Sequence, residues 1–140
     1  VLLMSEAACQ RDACTPQAHW LAHASVGGAP DMPLLAAEAA AMVALNRAGL
    51  PDMHTLAAVE LHDAFAAQGM GFSKAFALSS DVFNTYGGGL ARGHPIGASG
   101  AVALVQLLTR LSLHERKHTT GLVAIAAAGG LGSAAMVQRM

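Results

Sequence analysis

Charged side chains are scarce in this sequence of 140 residues, of which only 12% are charged and 54% are hydrophobic. An average soluble domain carries about twice that charged fraction. The length suits one domain with a single hydrophobic core. A surface so poor in charge therefore predicts a large area buried against another domain or subunit. The net charge of −1 gives no electrostatic attraction to nucleic acid, so we expect no nucleic-acid partner.

Cysteines and long apolar runs are also few. Cys9 and Cys14 are too few for a disulfide framework or a four-ligand zinc site, so we interpret them as reduced thiols and predict no metal site. Segment 120–137 comes closest to a membrane span, but Gly129, Gly130 and Gly132 interrupt it. The basic region and cleavage site of a signal peptide are absent. The sequence starts at Val1 inside an apolar run, as expected for a piece of a longer polypeptide.

Strand and helix patterns alternate along the chain, which predicts an α/β fold with a mainly parallel sheet covered by helices. A short glycine-rich link at 128–132 predicts that the last two strands form an antiparallel hairpin. The predicted strands are 1–4, 19–25, 56–61, 122–127 and 134–139, and the predicted helices are 6–13, 33–48, 64–78 and 96–113.

The most informative segment is the glycine-rich run 84–100, which holds His94 between Gly93 and Pro95. Glycine permits tight backbone conformations, and proline suits the first turn of a helix. Histidine is the side chain whose charge changes most easily near neutral pH. The run therefore predicts a functional site around a rigidly held imidazole. The alternative is a plain turn before a helix, with His94 solvated beside it.

A second candidate segment, 60–68, follows a predicted strand and contains His62 and Asp63. The carboxyl ends of strands in such sheets are where ligands collect, so His62 is a candidate hydrogen-bond donor to a ligand. The alternatives are a helix cap or a buried, satisfied histidine. We expect Asp63 to cap the helix at 64–78 and Phe65 to lie in the core.

The remaining titratable groups are interpreted without a ligand. Arg110, Arg116 and Lys117 suit a solvated helix C-terminus, where positive charge is favourable. His19 and His23 are interpreted as surface positions on a strand.

Both candidate segments resemble motifs of thiolases. Residues 84–100 are similar to the thiolase histidine loop, N-x-x-G-G-x-x-x-x-G-H-P-x-G-A-[ST]-G, and segment 60–68 is similar to E-x-N-E-A-F-A-A-Q. His62 and Asp63 replace Asn and Glu of the second motif, as in sterol-carrier-protein-type and archaeal thiolases. The fixed positions of the first motif are filled by Asn84, Gly87, Gly88, Gly93, His94, Pro95, Gly97, Ala98, Ser99 and Gly100.

The resemblance covers essentially the whole chain and implies its fold. Residues 1–140 would form the C-terminal half of the thiolase fold, a five-stranded mixed sheet with helices on both faces. The N-terminal half, which carries the nucleophilic cysteine in thiolases, is absent from this chain.

The resemblance also implies an activity on acyl-CoA thioesters, either 3-ketoacyl-CoA thiolysis or Claisen condensation. His94 would take the proton of the nucleophilic cysteine in the other half. His62 would assist at an oxyanion site, with backbone N–H donors near Ala128 and Gly129. Asn84, Gly93 and Pro95 would support the histidine loop.

The chain departs from the thiolase pattern at the cysteine that acts as acid and base. The final hairpin resembles C-x-G-G-G-x-G, but Ala126 stands at the cysteine position, and Ala64 stands at the alternative one. If the protein is an enzyme, His62 or a group of the missing half must replace that cysteine, or activity is weak. The alternative is a non-catalytic thiolase-like binding or scaffold subunit. A condensing enzyme that uses acyl carrier protein is a third possibility, disfavoured by the loop pattern.

The resemblance implies coenzyme A as a substrate and no cofactor. The expected partners are an acyl-CoA, the N-terminal thiolase half and identical subunits in a homodimer or homotetramer. We expect a cytoplasmic protein if it is bacterial, and a peroxisomal or mitochondrial one if it is eukaryotic.

Overall fold

The structure, a computed structural model, describes residues 1–140. Two short 3₁₀ turns, Pro33–Leu35 and Met53–Thr55, precede α2 and β2. The elements in chain order are α1 (Glu6–Arg11), β1 (Ala18–Gly27), α2 (Ala36–Arg47), β2 (Ala58–His62), α3 (Ala66–Ala75), α4 (Gly88–Arg92), α5 (Ser99–Leu113), β3 (Thr120–Ala127) and β4 (Leu131–Arg139).

The sheet has the strand order β1-β4-β3-β2. The predicted hairpin is present, since β3 and β4 are antiparallel, but β1 also pairs antiparallel with β4. Only β2 and β3 are parallel. The prediction of a mainly parallel sheet was therefore wrong, because the hairpin reverses the chain and β1 adds to its far side.

The prediction of five strands was also wrong, since the sheet has four. Residues 1–4 form no strand, and the side chains of Val1, Leu2 and Leu3 are exposed by two-thirds or more. Strand backbone needs a neighbour to satisfy its N–H and C=O groups, and apolar composition alone does not supply one. Beside β2, a single parallel bridge joins Val59 to Phe83.

Helices cover both faces of the sheet, as predicted. One core cluster lies between the sheet and α2 with α3, and it includes Ala40, Leu61 and Phe72. The other lies between the sheet and α5 and includes Leu107 and Val123. No helix is long and apolar enough to cross a membrane.

Two hairpin glycines have a packing role against α2 and the loop before it. A Cβ at Gly132 would overlap the carbonyl of Ala36, the first residue of α2, and a Cβ at Gly130 would lie 2.5 Å from the Gly28 carbonyl oxygen. Gly28 N–H also donates to the Gly130 carbonyl over 2.7 Å. These glycines therefore let α2 lie directly on the sheet, whatever role the hairpin has in chemistry.

Because β2 and β3 are parallel, His62 at the end of β2 and Ala127 at the end of β3 lie at the same edge of the sheet. The residues between α3 and α5 return the chain to this edge, which holds both candidate motifs.

Candidate active site at the carboxyl edge of the sheet

Asn84 fixes the end of β2 next to His62. Its side-chain oxygen accepts a hydrogen bond from Leu61 N–H at 2.8 Å, and its side-chain nitrogen donates to the Leu61 carbonyl at 3.0 Å. The Asn84 N–H also donates to the Val59 carbonyl. The amide thus pairs with the strand as a neighbouring backbone would, and holds the residue that precedes His62.

Asp63 accepts backbone hydrogen bonds, but from a different helix than predicted. Its Oδ1 receives the N–H groups of Gly89 and Leu90 in the first turn of α4. The first backbone N–H after Asp63, that of Ala64, is instead bound by the Gln68 side chain at 3.1 Å. The predicted cap of the helix at 64–78 was wrong, because α3 begins only at Ala66 and Asp63 points to α4.

Two glycines of the histidine loop allow α4 to pack directly on this strand end. A Cβ at Gly88 would overlap the Asp63 carboxylate, and a Cβ at Gly89 would lie 2.7 Å from Cε1 and Nδ1 of His62. Both distances are below ordinary van der Waals contact. The glycine pair is therefore required by the close approach of α4 to His62 and Asp63.

His94 lies on top of His62. The two ring centroids are 4.4 Å apart and the ring planes are inclined by 29°. His62 is buried, with 4% of its surface exposed, whereas His94 is exposed. Gly93 ends α4 with φ of +79°, a conformation that favours glycine, and so turns the chain towards this position.

Ser99 binds the ring of His94 and orients it. Ser99 Oγ lies 2.8 Å from His94 Nδ1 and donates to the Pro95 carbonyl at 3.3 Å. When the one proton of the hydroxyl goes to the Pro95 carbonyl, Nδ1 carries the proton of the shared bond and donates to Oγ. The lone pair of neutral His94 is then on Nε2, which is the nitrogen able to accept a proton from a ligand or a thiol.

His62 is held in its neutral form. Burial lowers the pKa of His62, the neighbouring His94 and Arg92 lower it further, and Asp63 opposes them. The Nε2 atom of His62 is buried and has no hydrogen-bond partner. A buried polar atom without a partner is costly, so this nitrogen is a polar group that the chain itself leaves unsatisfied.

The hairpin turn brings backbone donors to the same edge. Ala128 and Gly129 are exposed, and their N–H groups make no hydrogen bond within the chain. Ala126 packs against the cluster on the α2 side. Successive residues of a strand point to opposite faces, and Ile125 pairs with His62. The side chain of Ala126 therefore faces away from the side occupied by His62.

Sequence reasoning missed a buried ion pair two residues before His62. Glu60 is fully buried and its Oε1 lies 2.8 Å from Nη1 of Arg110, whose side chain is 7% exposed. The interpretation of Arg110 as a solvated helix-end charge was wrong, because its side chain is buried against Glu60. No local pattern reveals this partner, which lies 50 positions away in sequence.

The expectation that Phe65 lies in the core was also wrong, since Phe65 is 61% exposed at this edge.

Comparison with known proteins places these features in a family. The family model for the thiolase C-terminal domain matches residues 14–139. Acetyl-CoA acetyltransferase from Escherichia coli (strain K12) is 36% identical over 140 residues, which is all of this chain and 35% of that protein. The chain therefore spans about a third of the length of the curated relatives it matches.

Solved thiolase structures share the fold. Acat5 thiolase from Ascaris suum, in complex with coenzyme A, superposes with a TM-score of 0.89 at 32% identity, over 97% of this chain and 34% of that one. Human mitochondrial 3-ketoacyl-CoA thiolase superposes with a TM-score of 0.91 at 29% identity, again over 97% and 34% of the two chains. The residues from 14 to 139, with both histidine motifs on one sheet edge, make this chain a member of the thiolase family, in its C-terminal domain.

Proposed function

We propose that residues 1–140 act as the C-terminal half of a thiolase-family acyltransferase on acyl-CoA thioesters, in 3-ketoacyl-CoA thiolysis or Claisen condensation. The observation that carries this proposal is the stacked pair of His62 and His94 at the carboxyl edge of the sheet. One imidazole of the pair is exposed and hydrogen-bonded to Ser99, and the other is buried and neutral. Coenzyme A is then a substrate, and no cofactor is needed.

His94 serves the acylation step. Its Nε2 accepts the proton of a cysteine thiol supplied by an N-terminal half, since the thiolate is the reactive form. The thiolate attacks the thioester carbonyl, a new carbon–sulfur bond forms, and the bond to CoA breaks. The departing CoA thiolate takes back the proton from His94, so that protons and electrons balance.

His62 and the hairpin turn stabilise the negative charge that develops on the thioester oxygen. A neutral imidazole has one donor and one acceptor nitrogen, so His62 can donate to this oxygen while remaining uncharged. The N–H groups of Ala128 and Gly129 supply further donors at the same edge. Each donor aimed at an oxyanion contributes about 3 kcal/mol to transition-state stabilisation.

The second half-reaction needs a base that neither Ala126 nor Ala64 can provide. Thiolysis requires ionisation of the incoming CoA thiol, and condensation requires removal of a proton alpha to the thioester. We assign this base to His62, because burial lowers its pKa and so keeps the acceptor nitrogen of the ring unprotonated. A base of this kind contributes about 10² to 10⁴ in rate.

The proposal includes association with an N-terminal half and with identical subunits, and a cytoplasmic location. The site-bearing edge exposes Phe65, Leu90 and Ile96, an apolar surface that fits burial against the N-terminal half. The low charge of the chain supports association of identical subunits into a homodimer or homotetramer. Bacterial relatives such as the Escherichia coli protein support a cytoplasmic location.

The test is thiolysis of acetoacetyl-CoA by the native gene product and by the 140-residue chain alone. We expect turnover only when an N-terminal half with a cysteine nucleophile is present. We expect His94→Ala to lower it by about 10²- to 10⁴-fold, whereas His23→Ala changes a surface histidine on β1 and leaves it unchanged. Turnover by residues 1–140 alone contradicts the two-half proposal. CoA binding without turnover by the native product identifies a binding subunit instead.

A further inference from the structure

Glu60 is the only carboxylate of the chain that is fully buried with an arginine partner. It lies on β2 two residues before His62, so both side chains point to the same face of the sheet, with Cα atoms about 6.6 Å apart. Burial raises the pKa of Glu60, and the charges of Arg110 and Arg92 oppose this effect, while Asp63 adds to it. A buried charge that costs free energy on its own needs its partners in place.

Arg110 connects Glu60 to the segment that leads to Asn84. Its Nη1 donates to Glu60 at 2.8 Å, and its Nη2 donates to the carbonyls of Asp81 and Val82 at 3.3 and 2.9 Å. The planar guanidinium has five donors in a fixed geometry, so it can hold both segments at once. Asn84, two residues after Val82, in turn clamps Leu61.

Arg92 connects the other oxygen of Glu60 to the histidine loop. Its Nη2 lies 3.9 Å from Glu60 Oε2, and its side chain is 24% exposed. That Oε2 is buried and has no hydrogen-bond partner, so Arg92 is the cation that compensates it. Arg92 also donates to the Gly87 carbonyl at 3.4 Å, and it stands two residues before His94.

We propose that Glu60 is a positioning residue, which acts through Arg92 to hold the His94 loop over His62 and through Arg110 to hold the loop that carries Asn84. One buried carboxylate thereby connects β2, α4, α5 and the segment before Asn84. The effect of Glu60 on the geometry of the two rings does not depend on which reaction the protein catalyses. Only the kinetic consequence, that turnover requires the stacked rings, rests on the proposed function.

The primary test is NMR of the 140-residue chain, with NOEs between the ring protons of His62 and His94 as the readout. Glu60→Gln keeps the shape and an oxygen for Arg110 but removes the charge. Arg92→Met keeps the aliphatic stem but removes the contact with Glu60. We expect both variants to lose the inter-ring NOEs and to shift the His94 ring protons, and Arg92→Lys to restore part of them.

Matched controls separate positioning from general loss of stability. Glu38→Gln removes a half-buried carboxylate on α2, on the opposite side of the sheet. Arg47→Met is matched to Arg92→Met, because each arginine is the last residue of its helix. It removes a guanidinium that binds the His23 carbonyl at 2.7 Å. We expect both controls to retain the NOEs. A folded Glu60→Gln variant with unchanged NOEs contradicts the proposal, and if that variant does not fold, unchanged NOEs in Arg92→Met contradict it.

Kinetics of the native gene product add a second readout. A displaced His94 lowers kcat by about 10²-fold for a shift of about 1 Å, and we expect Arg92→Met to leave KM within about twofold, since Arg92 makes no substrate contact in this account. Absence of turnover in the unmodified protein contradicts the proposed function but leaves the NMR result unchanged. Each of the two proposals can therefore be contradicted without the other.

Discussion

The imidazole rings of His62 and His94 stack with their centroids 4.4 Å apart, although the two residues are 32 positions apart in sequence. One ring is buried at the end of β2 and the other is exposed on the loop after α4. Two imidazoles in contact disfavour simultaneous protonation, because like charges repel. The neighbouring His94 accordingly lowers the pKa of His62, which keeps the buried ring neutral beside the exposed one.

Ser99 is expected to matter for rate more than for binding. Ser99→Ala removes the hydrogen-bond partner of His94 Nδ1, so the ring loses the contact that orients it and favours one tautomer. A neutral hydrogen bond contributes about 1 kcal/mol, and we expect kcat of the native gene product to fall about fivefold with KM unchanged. Steady-state kinetics measure this, and Ser99→Thr, which keeps the hydroxyl, should restore the rate. Equal rates for the alanine variant and the unmodified protein contradict the tautomer argument.

Gly89 is expected to tolerate no side chain. Gly89→Ala places a Cβ 2.7 Å from the His62 ring, and overpacking of this kind costs about 1–3 kcal/mol. Urea unfolding of the 140-residue chain measures the loss. The control is Gly100→Ala in α5, where a Cβ meets nothing within 4 Å and alanine favours the helix by about 0.5–1 kcal/mol. If both variants unfold at the same urea concentration, α4 does not lie against His62 as described.

His62 is expected to make stability depend on pH near neutrality. Its pKa in the fold lies below the ordinary value of 6.5, so the unfolded chain takes up this proton first as the pH falls. The free energy of unfolding therefore decreases as the pH falls from about 7.5 through the ordinary value of 6.5, and it recovers as the pH rises. Urea midpoints across this range measure the slope.

His62→Asn should flatten that slope, because the titrating group is gone. His19→Asn removes an exposed histidine of β1 and should leave the slope as it is. Loss of the slope in the His19 variant, with retention in the His62 variant, would contradict the assignment of the pH dependence to His62.

Several parts of the fold and site could be predicted because their signals are local. The glycines and proline around His94 mark a turn before a helix within a few residues, and α5 follows as expected, starting at Ser99 instead of Ile96. The hairpin of β3 and β4 is likewise fixed by a short glycine link.

Other parts depend on contacts between distant residues, which no local pattern reveals. Glu60 and Arg110 form their ion pair across 50 positions, and Asp63 caps α4 across 26. Residues 1–4 have strand-like composition but no neighbouring strand. The motif identifies Ser99 only as a matching position, and its contact with Nδ1 of His94 gives it a chemical role.

The most direct measurement of the central claim is the intact mass of the native gene product after brief mixing with acetyl-CoA. If His94 takes the proton of the nucleophilic thiol, the unmodified protein and His23→Ala gain one acetyl group per chain at equal rates. His94→Ala should be slower by about 10² to 10⁴. Acylation of His94→Ala at the rate of the unmodified protein would contradict the account, because the exposed imidazole of the pair would then have no part in activating the thiol.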